Sequence, residues 1–116
     1  MSRKTLTTET LQEIIRRVVE VANPERVILF GSAARGDMKS DSDVDLLVIK
    51  DGEYHHGSIL GDIYVNLIGV GQAVDVVLVT SEQVEQYRDV HFLVIKPALQ
   101  EGKEVYRAAA IPVVGL

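Results

Sequence analysis

Along the first segment, Leu11, Ile14, Ile15, Val18, Val19 and Ala22 recur at helical spacing, with Glu13, Arg16, Arg17 and Glu20 on the opposite side. The spacing predicts an amphipathic helix, capped by Thr7 or Thr8 and stopped by Asn23-Pro24. The pattern then changes period. Arg26 to Phe30 is a short β-rich run that ends at Gly31-Ser32. Asp43 to Lys50 reads as a second strand, built on Val44, Leu46, Leu47, Val48 and Ile49. Between the two lies a polar stretch, Ala33 to Ser42. Residues 51–58, which carry Tyr54, His55 and His56, read as an exposed loop, and Ile59 to Gly69 as a short helix with Ile63, Leu67 and Leu60 inward. Ala73 to Thr80 is the third and strongest strand, and its one charge is Asp75. Ser81 is placed to cap a helical turn through Tyr87. A final helix from about Val90 to Gln100, bent or restarted at Pro97, precedes a short strand at Val105-Tyr106. The expected architecture is α/β (α+β): a small mixed sheet with helices packed on it.

Composition narrows what such a sheet can carry. The 116 residues are enough for one domain, 1–116, whose segment 108–116 is an apolar tail, frayed or packed on a neighbour. With no Trp and two Phe, the core must be aliphatic. A net charge of −5 argues against a general nucleic-acid surface, which needs clustered Lys and Arg. The absence of cysteine rules out disulfides, zinc-thiolate sites and thiol nucleophiles. No apolar run approaches the ~20 residues of a membrane span, and Met1 to Glu13 lacks the apolar core of a signal peptide. No membrane association and a cytoplasmic location are the expectations that follow.

The chemistry concentrates between Gly31 and Val48. Asp43 and Asp45 open a strand whose side chains alternate, so both carboxylates project from one face and Val44 from the other. Neighbouring carboxylates repel, and no Lys or His in the flanking strand offsets them; a hard divalent cation such as Mg²⁺ would. The same spacing also suits an Asp-rich turn or helix cap. Asp75 adds to the ligand reading, because a lone carboxylate in an apolar strand is explained if its strand lies beside Asp43 and Asp45. Three carboxylates can hold two ions roughly 3.5–4 Å apart. Gly31-Ser32, directly after a strand, permits a sharp turn and aims free N–H groups at phosphate oxygens, although the pair alone also fits an ordinary N-cap by Ser32. It is not a Walker A loop, since Asp37-Met38 follows where Lys-Ser/Thr is required.

Taken together, Gly31-Ser32, ten intervening residues and Asp43-x-Asp45 resemble the signature of the DNA polymerase β-like nucleotidyltransferase superfamily. The fuller string, with Arg35, Gly36 and Ser42, is similar to its minimal (MNT-type) branch. The resemblance implies a polymerase β-like fold in which Asp43, Asp45 and Asp75 ligate two Mg²⁺ and take part in catalysis. Gly31 and Ser32 would then grip the triphosphate of ATP or another NTP. Arg35 is a candidate phosphate contact, or else a loop-ordering surface residue. The resemblance further implies transfer of NMP, AMP from ATP, onto an acceptor hydroxyl. A tyrosine of a helical HEPN-type toxin is the acceptor it favours, which would make the chain an antitoxin. Competing readings are an antitoxin that acts by binding alone, and a small-molecule adenylyltransferase acting on an aminoglycoside-like acceptor, which would need a homo-oligomer (homodimer) cleft or a separate acceptor-binding subunit. A carboxylate-only metal hydrolase would leave Gly31-Ser32 unexplained. His55 and His56 could bind a metal, but a solvated loop explains them too, and His91 reads as surface or packing.

Overall fold

The structure, a computed structural model, describes residues 6–36, 43–87 and 95–108. Asp37, Lys39 and Ser42 of the motif, His91, the first part of the last expected helix and the tail beyond Ala108 lie outside the described residues. Among the described residues, four strands form one mixed sheet in the order β3-β2-β1-β4. They are β1 (Arg26–Phe30), β2 (Val44–Ile49), β3 (Val74–Val79) and β4 (Lys103–Arg107). β1 is antiparallel to both β2 and β4, and β2 is parallel to β3.

β2 lies inside the sheet because its sequence can be covered on both faces. Val44, Leu46, Leu47 and Val48 are completely buried, as a near-continuous aliphatic run allows. Alternation then divides the core. Val27, Leu29, Val44, Leu46, Val48, Val76 and Leu78 face α1 (Thr8–Ala22) and α3 (His56–Asn66). Ile28, Leu47, Ile49 and Val79 form a smaller cluster on the other face with Ala98 of α5 (Ile95–Glu101) and Val84 of α4 (Ser81–Tyr87).

The first helix begins and ends as its sequence predicts. The Thr7 side chain accepts from the Thr10 amide at 3.0 Å, and Asn23 takes the left-handed conformation ahead of Pro24. Its expected apolar face is wider than its buried one. Ile14, Val18 and Ala22 enter the core, whereas Ile15 and Val19 are half-buried and line a groove with Val105 and Tyr106 of β4.

Two local expectations are corrected. Residues 51–58 are not all loop, because α3 already starts at His56. His55 is its N-cap, with Nδ1 accepting from the Ser58 amide at 3.1 Å. His56 turns away to the Leu78 carbonyl, 3.0 Å from its Nε2, so the two imidazoles are held by different partners. The cap of α4 is Thr80 rather than Ser81. Thr80 and Gln83 exchange reciprocal hydrogen bonds, a capping box, and Ser81 instead donates from its amide and hydroxyl to Asp51 at 2.7 and 2.6 Å.

Candidate active site

Two strand ends and one strand exit meet at one edge of the smaller core cluster. In the sheet register Phe30 lies opposite Asp45, and Asp45 lies opposite Asp75. Asp45 shares its face with Leu47 and Ile49, and Asp75 with Val77 and Val79, so both carboxylates emerge on the face that α4 and α5 cover farther along. Asp43, two residues before Asp45, belongs to the same face. Burial changes along this face. Leu47 and Ile49 are buried, Asp45 is half-buried, and Asp43 and Asp75 are exposed. The sheet therefore presents an acidic, open end next to an apolar, covered one.

The turn after β1 closes the site from the other side. Gly31 has φ +75° and ψ −155°, a backbone conformation that L side chains rarely adopt. A Cβ at this position would collide with the Asp45 carboxylate, so glycine is required both for the turn and for the closeness of the two chains. The turn feeds a single helical turn, α2 (Ser32–Arg35), in which the Gly31 carbonyl accepts from Ala34 and Arg35, both at 3.1 Å. Ser32 and Ala33 head this turn, where backbone N–H groups have no acceptor within the helix. Ser32 is thus the first helical residue and Gly31 the cap, not Ser32 as an ordinary N-cap would have it.

Electrostatics agree with the register. Burial first, then the nearby charges of Asp75 and Asp43, hold the Asp45 carboxyl above its ordinary range, and Arg35 partly offsets them. Arg35 also pairs with Glu101 at the end of α5, at 3.5 Å. It is within electrostatic reach of the site while tethered beside it. In their present rotamers no three Asp, Glu or His side chains among the described residues close on a common point as a ligand set. The sheet aligns the backbone positions of the carboxylates.

The donor set still suits a hard divalent cation. It is all carboxylate oxygen, it is short of compensating positive charge, and Gly31 leaves room beside it that any Cβ would fill. One site residue had no sequence signal. Tyr64 of α3 reaches around the sheet edge, and its hydroxyl accepts from the Val76 amide at 2.9 Å and donates to Asp75 Oδ1 at 3.4 Å. By helical periodicity it merely flanks the buried Ile63 and Leu67. The groove between α1 and β4 lies against the other face of the sheet, so it does not extend this site.

Residues 9–109 match the family model described as polymerase beta, nucleotidyltransferase. The chain belongs to this family. Nucleotidyltransferases of this family generally use an NTP and a divalent metal, and the membership makes the chain a transferase by family and fold. The fold is also similar to that of a solved structure from Sulfolobus solfataricus, a protein provisionally named a nucleotidyltransferase. The two align with a TM-score of 0.52 at 20% identity, over 88% of this chain and 90% of the other. No protein of curated function shows a significant match to the sequence. Among the described residues, no helix is long and apolar enough to cross a membrane.

Proposed function

We propose that this nucleotidyltransferase moves NMP, AMP from ATP, onto an acceptor hydroxyl, with Asp43, Asp45 and Asp75 as its acidic centre. The observation that carries the reading is the pairing of Asp45 with Asp75 across β2 and β3, with Gly31 pressed against Asp45. Mg²⁺ held by the three carboxylates, two ions in all, would supply positive charge for the triphosphate and Lewis acidity for the acceptor. The remaining work falls to the chain. The amides of Ser32 and Ala33 and the Ser32 hydroxyl hold phosphate oxygens at the turn, and Arg35 adds a cation from the side. Asp75 takes the proton of the acceptor hydroxyl. The acceptor oxygen bonds to the α-phosphorus, the bond from that phosphorus to the bridging oxygen breaks, and pyrophosphate leaves. Catalysis of this kind is mostly positioning and electrostatics, which a small domain can provide.

The acceptor we favour is a tyrosine of a HEPN-type toxin, which makes the protein a cytoplasmic antitoxin. The resemblance of the Gly31–Val48 motif to the minimal branch supports this. So does the open acidic end of the sheet, where Asp43 and Asp75 are exposed. The test is to incubate the protein with α-labelled ATP and a helical protein encoded beside it, with and without Mg²⁺. Label and one added AMP mass on a partner tyrosine, lost in the Asp43→Asn/Asp45→Asn double variant, are expected. A partner that is neutralised without gaining mass would mean inhibition by binding alone. A small hydroxylated acceptor labelled in its place would move the specificity to small molecules.

A further inference from the structure

We infer that Tyr64 is a positioning residue that holds Asp75 in place for divalent-ion binding. The inference rests on the nucleotidyltransferase reading above and assigns a role to a residue outside the motif. Among the described residues β3 is an edge strand, so some of its amides face away from β2. Val76 has such an amide, and the Tyr64 hydroxyl caps it at 2.9 Å. While its oxygen accepts from that amide, the hydroxyl donates its proton to Asp75 Oδ1, 3.4 Å away. One phenol thus ties together the backbone that carries Asp75 and the carboxylate itself.

Tyr64 is well placed to hold a position because α3 is anchored. Arg17 of α1 donates to the carbonyls of Asn66 and Ile68 at 3.3 and 2.9 Å, at the end of α3. Asn66 donates back to the Arg17 carbonyl at 2.9 Å and to Glu20 at 3.0 Å. Tyr64 is 39% exposed, so burial alone does not explain it, whereas its hydroxyl has two partners at the site. The hydrogen bond to Oδ1 leaves Oδ2 for an ion and restricts rotation of the carboxylate. Partners of this kind behind a metal ligand typically contribute roughly 10–100-fold to metal affinity.

The test is Mn²⁺ binding to the full chain without nucleotide, followed by electron paramagnetic resonance, for wild type, Tyr64→Phe and Tyr54→Phe. Tyr54 is a control whose hydroxyl donates to the Lys50 carbonyl instead. Tyr64→Phe should weaken Mn²⁺ about tenfold and raise the Mg²⁺ concentration needed for transfer, while Tyr54→Phe matches wild type. Equal Mn²⁺ affinity in wild type and Tyr64→Phe overturns the positioning role alone, even if the melting temperature falls. An absence of Mn²⁺ binding by wild type overturns this role and the metal-dependent reading together.

Discussion

Asp45 and Asp75 stand directly opposite one another across the parallel β2–β3 pair, and the charge of Asp75 adds to the cost of ionising Asp45. Asp45 bears that cost visibly, because burial and the charges of Asp75 and Asp43 push its pKa up. A carboxyl with a raised folded-state pKa favours the folded state below its unfolded value and loses that advantage as pH rises through the folded value. Ionised Asp45 is therefore a burden on the metal-free fold at neutral pH. Asp45→Asn should stabilise the protein there by about 0.5–1 kcal/mol, a modest figure because the group is half-exposed and screened. The gain should vanish as pH falls below the ordinary aspartate value of 3.8. Urea denaturation across pH, without divalent ions, checks both statements; transfer activity should be lost in the same variant.

Gly31 tests the other wall of the site. Its backbone conformation and its contact with Asp45 both exclude a side chain. Gly31→Ala should cost roughly 1–3 kcal/mol from the backbone alone and displace the Asp45 carboxylate. A Gly36→Ala variant separates the two effects. Gly36 is also at positive φ, +81°, but a Cβ there meets nothing. Denaturation should show both variants destabilised, with nucleotide binding impaired far more by Gly31→Ala.

Much of this site can be read from the chain before any coordinates. The i, i+2 spacing of Asp43 and Asp45 places them on one face whatever the sheet order, and the lone charge in Ala73–Thr80 marks Asp75 as exceptional. Gly31-Ser32 after an apolar run marks a turn. Periodicity does not encode which strands become neighbours, so it could not show Asp45 between Phe30 and Asp75. Nor could it show Tyr64, whose role arises from an edge amide and a carboxylate brought together only by packing. The early start of α3 was hidden because His55 caps through a ring nitrogen, outside the usual Ser, Thr, Asp and Asn signals. Thr80 lost the reading to Ser81 because both can cap, and only the Gln83 partner decides between them.

Glu13 should stay ionised far into acid. It accepts from Arg16 at 3.1 and 2.7 Å and from Arg17 at 2.7 Å, and these partners lower its pKa to about 2. A depressed carboxyl contributes stability above its unfolded value of 4.5, and that stability is lost as pH falls toward 2. Carboxyl-carbon NMR titration should place Glu13 well below the ordinary glutamate value of 4.5. Because the group is exposed, added salt should move it back toward the ordinary value.

Arg17 joins the two helices behind the sheet. Its side chain is only 24% exposed, and it bonds Glu13 of its own helix and the closing carbonyls of α3. Arg17→Met keeps most of the apolar stem and removes these bonds. It should lower stability by about 1–2 kcal/mol, and hydrogen exchange should quicken in α3 more than in β1 or β2.

The most direct measurement is calorimetric titration of the protein with a non-hydrolysable ATP analogue, with and without Mg²⁺, for wild type and Asp43→Asn/Asp45→Asn. Wild type should bind the analogue tightly only when Mg²⁺ is present, and the double variant, still folded, should lose that dependence. Equal Mg²⁺-dependent binding by the double variant would contradict the placement of the nucleotide at these carboxylates.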